Sequence, residues 1–165
     1  MKTSHNQRRN IEVDFTFRVR AEPLPAELRP GWRIMLLLLM IYRCGHGGAM
    51  SLKKAHLVCS ASRSEENRSM LLRMLVGDRQ LDDVPVRFDP SLNRAIDYAI
   101  AERLVLALVR SGTCVLKITP EGDRMVKALL ATSECMQEEK SFAETLRGNI
   151  SNEKVEEILN WETNK

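Results

Sequence analysis

Eight consecutive residues, Ile34 to Ile41 (IMLLLLMI), carry no polar side chain. A helix over this run is apolar on every face, because 3.6 residues per turn distribute the side chains all the way round. The run is well short of the roughly 18 apolar residues of a membrane span. It also begins after Pro23, Pro25 and Pro30, too far along to read as a secretory leader. What remains is a central helix that other elements must cover on all sides. The pattern predicts it over 31–43, followed by a flexible GHGG stretch at 45–48.

The rest of the chain is able to supply that cover. Its 165 residues suffice for one domain with a core of its own, or one domain with a tail. Aromatics are only 5%, so the core is aliphatic and wide platforms for stacking single-stranded bases are excluded. The net charge of +3, from 25 basic and 22 acidic residues, is too balanced to demand nucleic acid. Cys44, Cys59, Cys114 and Cys135 form no CxxC pair, which fits reduced thiols in a cytoplasm.

Periodicity and capping signals divide the sequence. Residues 1–10 are polar and basic, and Ile11 to Val19 alternate with charged residues as in a half-buried strand. Residues 21–30 are a proline-punctuated linker. A helix from about Ser51 buries Leu52, Ala55, Leu57 and Val58. A second, Ser64 to Val76, buries Met70, Leu71, Met74 and Leu75. Residues 84–88 alternate as a short strand. Asp89-Pro90 then starts a helix over 91–104 that buries Leu92, Ile96, Ala99 and Ile100. Val105–Arg110 and Cys114–Ile118, joined through Ser111-Gly112, read as a hairpin. Thr119-Pro120-Glu121 starts another helix, burying Met125, Val126, Leu129 and Leu130. Two short helices follow, split at Gly148-Asn149. Ser151 caps the second, which carries Val155, Ile158, Leu159 and Trp161. Between Glu134 and Lys165 carboxylates outnumber cations two to one.

A hairpin that leads through Thr-Pro-x-Gly into a helix resembles the wing of winged helix-turn-helix domains. The fold expected is therefore mainly α with a small β part: a winged-helix-like domain over 29–133. An N-terminal tail, strand and linker (1–28) precede it, and an acidic helical extension (134–165) follows. Winged helices commonly read DNA with the helix before the wing. Here that helix sets Arg94 and Arg103 against Asp97 and Glu102. Duplex DNA presents about one phosphate charge per 1.7 Å of axis, and the two carboxylates oppose it. Protein docking is the better use of such a face. A more basic stretch lies earlier, where Lys53, Lys54, Arg63, Arg68 and Arg73 outnumber Glu65 and Glu66. It is either a phosphate-tracking surface or an ordinary solvated one.

Catalytic and metal chemistry have thin support. Cys44, His46, His56 and Cys59 offer a C-x-H…H-x-x-C spacing that a tetrahedral zinc ion would accept, but the first pair is tight. Buried cysteines as small hydrophobes and a structural His56 explain the same residues, so neither a metal nor a cofactor is expected. No third group orients a histidine against a cysteine, and there is no P-loop.

Several segments together resemble a known family. They are R-P-G-W-R-I-M-L-L-L-L (29–39), S-L-K-K-A-H-L-V (51–58), the R-S-E-E-N-R run that opens 63–77, V-P-V-R-F-D-P-S-L-N-R-A within 84–105, the wing, and E-E-K-S-F (138–142). This pattern is similar to the middle component of bacterial ABC-three-component systems, the Lamassu-type anti-phage modules. The resemblance implies a non-catalytic cytoplasmic adaptor that docks on an SMC/Rad50-like coiled-coil ATPase and controls an effector, often a nuclease. Contact with DNA would arise within the complex, and no membrane is involved. The partner-binding faces expected are Arg94, Tyr98 and Arg103 on the pre-wing helix, and Phe142, Leu146, Ile158 and Trp161 on the C-terminal helices. The competing reading is a dimeric winged-helix DNA-binding transcription regulator.

Overall fold

The structure is a computed structural model that describes residues 29–78 and 89–160. The strands expected at 11–19 and 84–88 lie outside the described residues, as does Trp161. The element order is α1 (Pro30–Cys44), β1 (Ala49–Ser51), α2 (Leu52–Ala61), α3 (Glu65–Leu75), α4 (Pro90–Ala101), β2 (Val105–Arg110), β3 (Thr113–Ile118), α5 (Pro120–Ala131), α6 (Gln137–Leu146) and α7 (Asn152–Leu159). The protein is thus mainly α with a small antiparallel sheet.

Helix α1 sits where its sequence demands. Leu37 to Ile41 have no exposed surface. They are covered by α2, α4, α5 and α6 and by the sheet. Each of these side chains contributes about 1.5–3 kcal/mol relative to exposure. The surrounding helices begin where short polar residues satisfy orphan N–H groups. Ser51 Oγ accepts from Lys54 N, Ser64 Oγ from Asn67 N, Asp89 from Ser91 N, Thr119 Oγ1 from Gly122 N, and Ser151 Oγ from Lys154 N. Proline opens α1, α4 and α5.

The sheet has the order β1-β3-β2. Val105 pairs with Ile118 and Arg110 with Thr113. Ser111 (φ 49°) and Gly112 (φ 75°) both take positive φ, the two-residue turn whose twist matches the strands it joins. β1 adds a third strand, with Met50 opposite Leu116. It was not expected. The GHGG stretch is a tight turn rather than loose backbone: His46 and Ala49 exchange backbone bonds of 2.8 and 3.1 Å. The expected helix start at Ser51 holds, with Ser51 serving both as the last residue of β1 and as the cap of α2.

The C-terminal extension is not set apart from the rest. Phe142, Ala143, Leu146, Ile150, Val155 and Ile158 belong to the same apolar cluster as α1. Two side chains expected inside, Ile100 and Met125, stand exposed.

Candidate functional site

Helix α4 is fixed at its start by an ion pair to α1. The Asp89 carboxylate caps the helix, accepts from the Ser91 hydroxyl, and lies 2.5 Å from Arg33 Nη1 and 3.6 Å from Arg63 Nη1. Burial alone would raise its pKa, but the bonds from Ser91 and Arg33 outweigh it and hold the carboxyl below its ordinary value. Leu92, Ala95, Ile96 and Ala99 face the core. The opposite face presents Arg94, Asp97 and Tyr98 to solvent, with Tyr98 54% exposed. The helix stops at Ala101, three residues short of expectation, where Arg103 turns the chain with φ 59°.

Beyond that turn lies β2, whose one strand partner among the described residues is β3. Thr119 N donates to Leu104 O, and the register continues down the hairpin. The backbone groups of Val105, Ala107 and Val109 therefore point away from β3, toward an edge that no described strand pairs. Leu106 is 50% exposed and Val109 79% exposed. An edge strand this apolar, charged only at its last residue Arg110, is what most sheets avoid unless something covers it. Arg94, Tyr98 and Arg103 thus lie on α4 or in the turn from it to β2. These two elements pack together and also carry exposed apolar side chains the sequence did not single out: Ile100 on α4, and Leu106 and Val109 on opposite faces of β2. Ordinary hairpin alternation gives no sign of which face stays bare.

The second face expected from the sequence is used internally. Phe142, Leu146 and Ile158 are buried against α1 and α2, so they do not present a docking surface. Amphipathic helices with one apolar stripe looked available for a partner, but the stripe is consumed by the chain's own core.

The basic stretch is also largely spent at home. Lys53 Nζ pairs with Glu156 at 2.8 Å, and Arg68 with Glu138 at 2.5 Å while also donating to Ser62 O. Arg63 faces Asp89, and Arg73 is half-buried. Lys54 is only 7% exposed, with its ammonium 2.5 Å from Ile150 O. These five side chains therefore do not form one phosphate-tracking face. The acidic helices α6 and α7 fold back over it.

Among the described residues no three His, Cys, Asp or Glu side chains converge to hold a metal. Cys44 and Cys59 are buried, His46 is exposed, and His56 is half-buried with a hydrogen bond to Asn93. Burial lowers the His56 pKa despite that bond. Burial raises Cys44 to about 11, assisted by Glu144 and opposed by Lys54 and Arg43. Burial likewise raises Cys59. Thiols held protonated in this way are poor nucleophiles at neutral pH.

One feature escaped the sequence entirely. A cleft of about 760 Å³ opens between the end of α1, the β1 side of the sheet and the α6–α7 turn. Arg43, Lys54, Arg110 and Arg147 line it, together with the first residues of α2 and α7. These cations come from four separate elements, so no local motif announces them.

No known protein-family model matches this chain, and neither a curated protein nor a solved structure proves similar to it. Among the described residues no helix is long and apolar enough to cross a membrane.

Proposed function

We propose that this protein is a non-catalytic adaptor that docks on a larger partner through α4 and the β2 edge of a winged-helix-like domain. The observation that carries the reading is the exposed segment from Tyr98 to Val109, whose β2 edge no described strand pairs. It joins exposed apolar side chains and that strand edge to mixed charges, Arg94 and Arg103 against Asp97 and Glu102. Apolar area with a polar, charged rim is the anatomy of a protein interface. A DNA-reading helix needs a clear cationic excess instead. The closing of the hairpin by β1 supports the winged-helix reading of the fold. The sequence pattern supports the identity of the partners: an SMC/Rad50-like coiled-coil ATPase and an effector such as a nuclease, in an anti-phage complex of the ABC-three-component type.

The test is co-purification from the native operon with this chain tagged. Wild type brings down a large coiled-coil ATPase. Arg94→Glu with Arg103→Glu, and separately Val109→Asp, lose it while far-UV circular dichroism stays unchanged. Unchanged pull-down by both variants refutes the face. A lone homodimer that shifts duplex DNA with steep salt dependence refutes the adaptor and makes the protein a transcription regulator.

A further inference from the structure

We propose that the cleft between α1, β1 and the α6–α7 turn binds a small polyphosphate, of the size and charge of a nucleoside di- or triphosphate. The argument begins with Lys54. Its side chain is almost wholly buried at the cleft wall, and its ammonium has a carbonyl, Ile150 O, at 2.5 Å. Among the described residues no carboxylate pairs with it. A buried cation without an anion is a standing cost to the fold, and an apolar side chain of the same length would remove it. An anion in the cleft supplies the missing charge.

The other cleft residues are arranged to the same end. Arg43 and Arg147 share one carboxylate, Glu144, at 3.2 and 3.1 Å, so two cations have one counter-charge. Arg110, at the end of β2, makes no ion pair among the described residues. Among the described residues Glu156 is the one acid lining the cleft, and Lys53 occupies both its oxygens at 2.8 and 2.9 Å. Ser51 Oγ meets Asn152 Oδ1 at 3.3 Å, which brings the first turns of α2 and α7 together. Both helices thereby direct the positive ends of their dipoles to one place.

Size and depth favour a small ligand over a nucleic-acid duplex. The volume lies within the range of cofactor and small-molecule pockets, about 300–1,000 Å³. A duplex is held by many protruding cations along its backbone. Among the described residues the exposed cations lining the cleft are Arg110 and Arg147, the latter paired with Glu144, while Lys53 beside it is occupied by Glu156. Lys54, by contrast, is recessed at the cleft wall, where a phosphoryl group can enter and a duplex backbone cannot.

The experiment is isothermal titration of the full chain at near-physiological salt, with inorganic tripolyphosphate and then with ATP. Saturable one-to-one binding of tripolyphosphate is expected. Lys54→Met and Arg110→Ala each weaken it about tenfold or more, as loss of a charge-assisted hydrogen bond does. Arg124→Ala, on the exposed face of α5 and outside the cleft, leaves it unchanged. Arg110 is exposed, so its variant keeps the test decisive even where Lys54→Met alters folding. Equal affinity for the two probes means that phosphoryl groups alone are read, and tighter ATP means a nucleotide; both support the site. Absence of binding to either probe, binding indifferent to both substitutions, or binding of duplex DNA alone overturns it.

Discussion

Gly122→Ala sets two simple rules against each other, and the structure decides between them. Gly122 lies in the first turn of α5. By helix propensity alone, alanine there is better by about 1 kcal/mol. An ideal Cβ at this position, however, falls 2.3 Å from Leu104 O and 2.9 Å from Ile118 Cγ1. Carbon and carbonyl oxygen approach no closer than about 3.3 Å even in weak hydrogen bonds, so helix and hairpin must separate by about 1 Å. The same Leu104 oxygen accepts from Thr119 N at 3.0 Å and from Thr119 Oγ1 at 3.1 Å, and that hydroxyl also caps α5. Separation therefore strains the contact and loosens two hydrogen bonds. Overpacking costs about 1–3 kcal/mol and each bond about 1 kcal/mol, so the net loss after the propensity gain is about 2–4 kcal/mol. Urea unfolding of the full chain, followed by far-UV circular dichroism, measures it. The midpoint falls while the slope stays constant, and Tm drops by about 4–16 °C. Gly31→Ala is the internal control, because a Cβ there meets nothing within 4 Å; its effect is neutral or a gain of up to about 1 kcal/mol. A Gly122→Ala protein as stable as wild type would show that the α5–hairpin junction is not close-packed and would refute the reasoning.

Leu38→Ala, in the fully buried turn of α1, costs about 2–5 kcal/mol in the same assay, because surrounding elements hold the cavity open. Asp89→Asn keeps a capping side chain but removes the charge facing Arg33, for a loss of about 1.5–3 kcal/mol at neutral pH. The Asp89 pKa is depressed in the folded state, so its contribution is whole above the ordinary value of 3.8 and fades as pH falls below it. Acid titration of stability is correspondingly flatter in Asp89→Asn. At the alkaline end the sign reverses. Cys44 keeps its proton to about 11 when folded but loses it near 9.0 when unfolded. Stability is whole below pH 9 and declines through pH 9–11, by roughly 3 kcal/mol from this thiol. Cys44→Ala flattens that decline; an unchanged slope would assign it elsewhere.

Much of the fold was legible because its signals are local. Asp89-Pro90, Thr119-Pro120 and Ser151 each mark a helix start through a side chain that bonds the backbone two or three residues on. Ser111-Gly112 marks the hairpin because two successive positive φ values suit few residue pairs. What could not be read depends on contacts far apart in sequence. β1 is three residues long and is a strand only because β3, more than sixty residues later, pairs with it. Ile100 and Met125 keep helical spacing with buried neighbours, yet among the described residues each is left 36–37% exposed. The stripe of Phe142, Leu146 and Ile158 is visible as a stripe, but the sequence does not say whether its cover is α1 or another protein.

The same distinction governs charge. Read along the chain, the basic segment 53–73 and the acidic segment after Glu134 look like two separate surfaces, one suited to phosphates and one to a cationic partner. In three dimensions they meet, through Lys53–Glu156 and Arg68–Glu138, across 103 and 70 residues. Each cancels the other's field over a distance much shorter than the roughly 8 Å of physiological screening. Arg94, Arg103, Arg110 and Lys117, by contrast, hold no ion pair among the described residues, and all lie on α4, the wing or the turn between them. With Asp97 and Glu102 among them, these cations still leave a net positive charge, among the described residues, on the elements that also carry the exposed apolar side chains. Charges at the rim of such a surface act chiefly on the rate of encounter, while the apolar centre sets the lifetime of the complex. Raising salt should accordingly slow association with the partner and leave dissociation nearly constant. Val109→Asp should speed dissociation with little change in the salt dependence. Stopped-flow or surface-plasmon kinetics on the reconstituted complex separate the two, and a salt effect confined to dissociation would place the decisive charges inside the interface instead of around it.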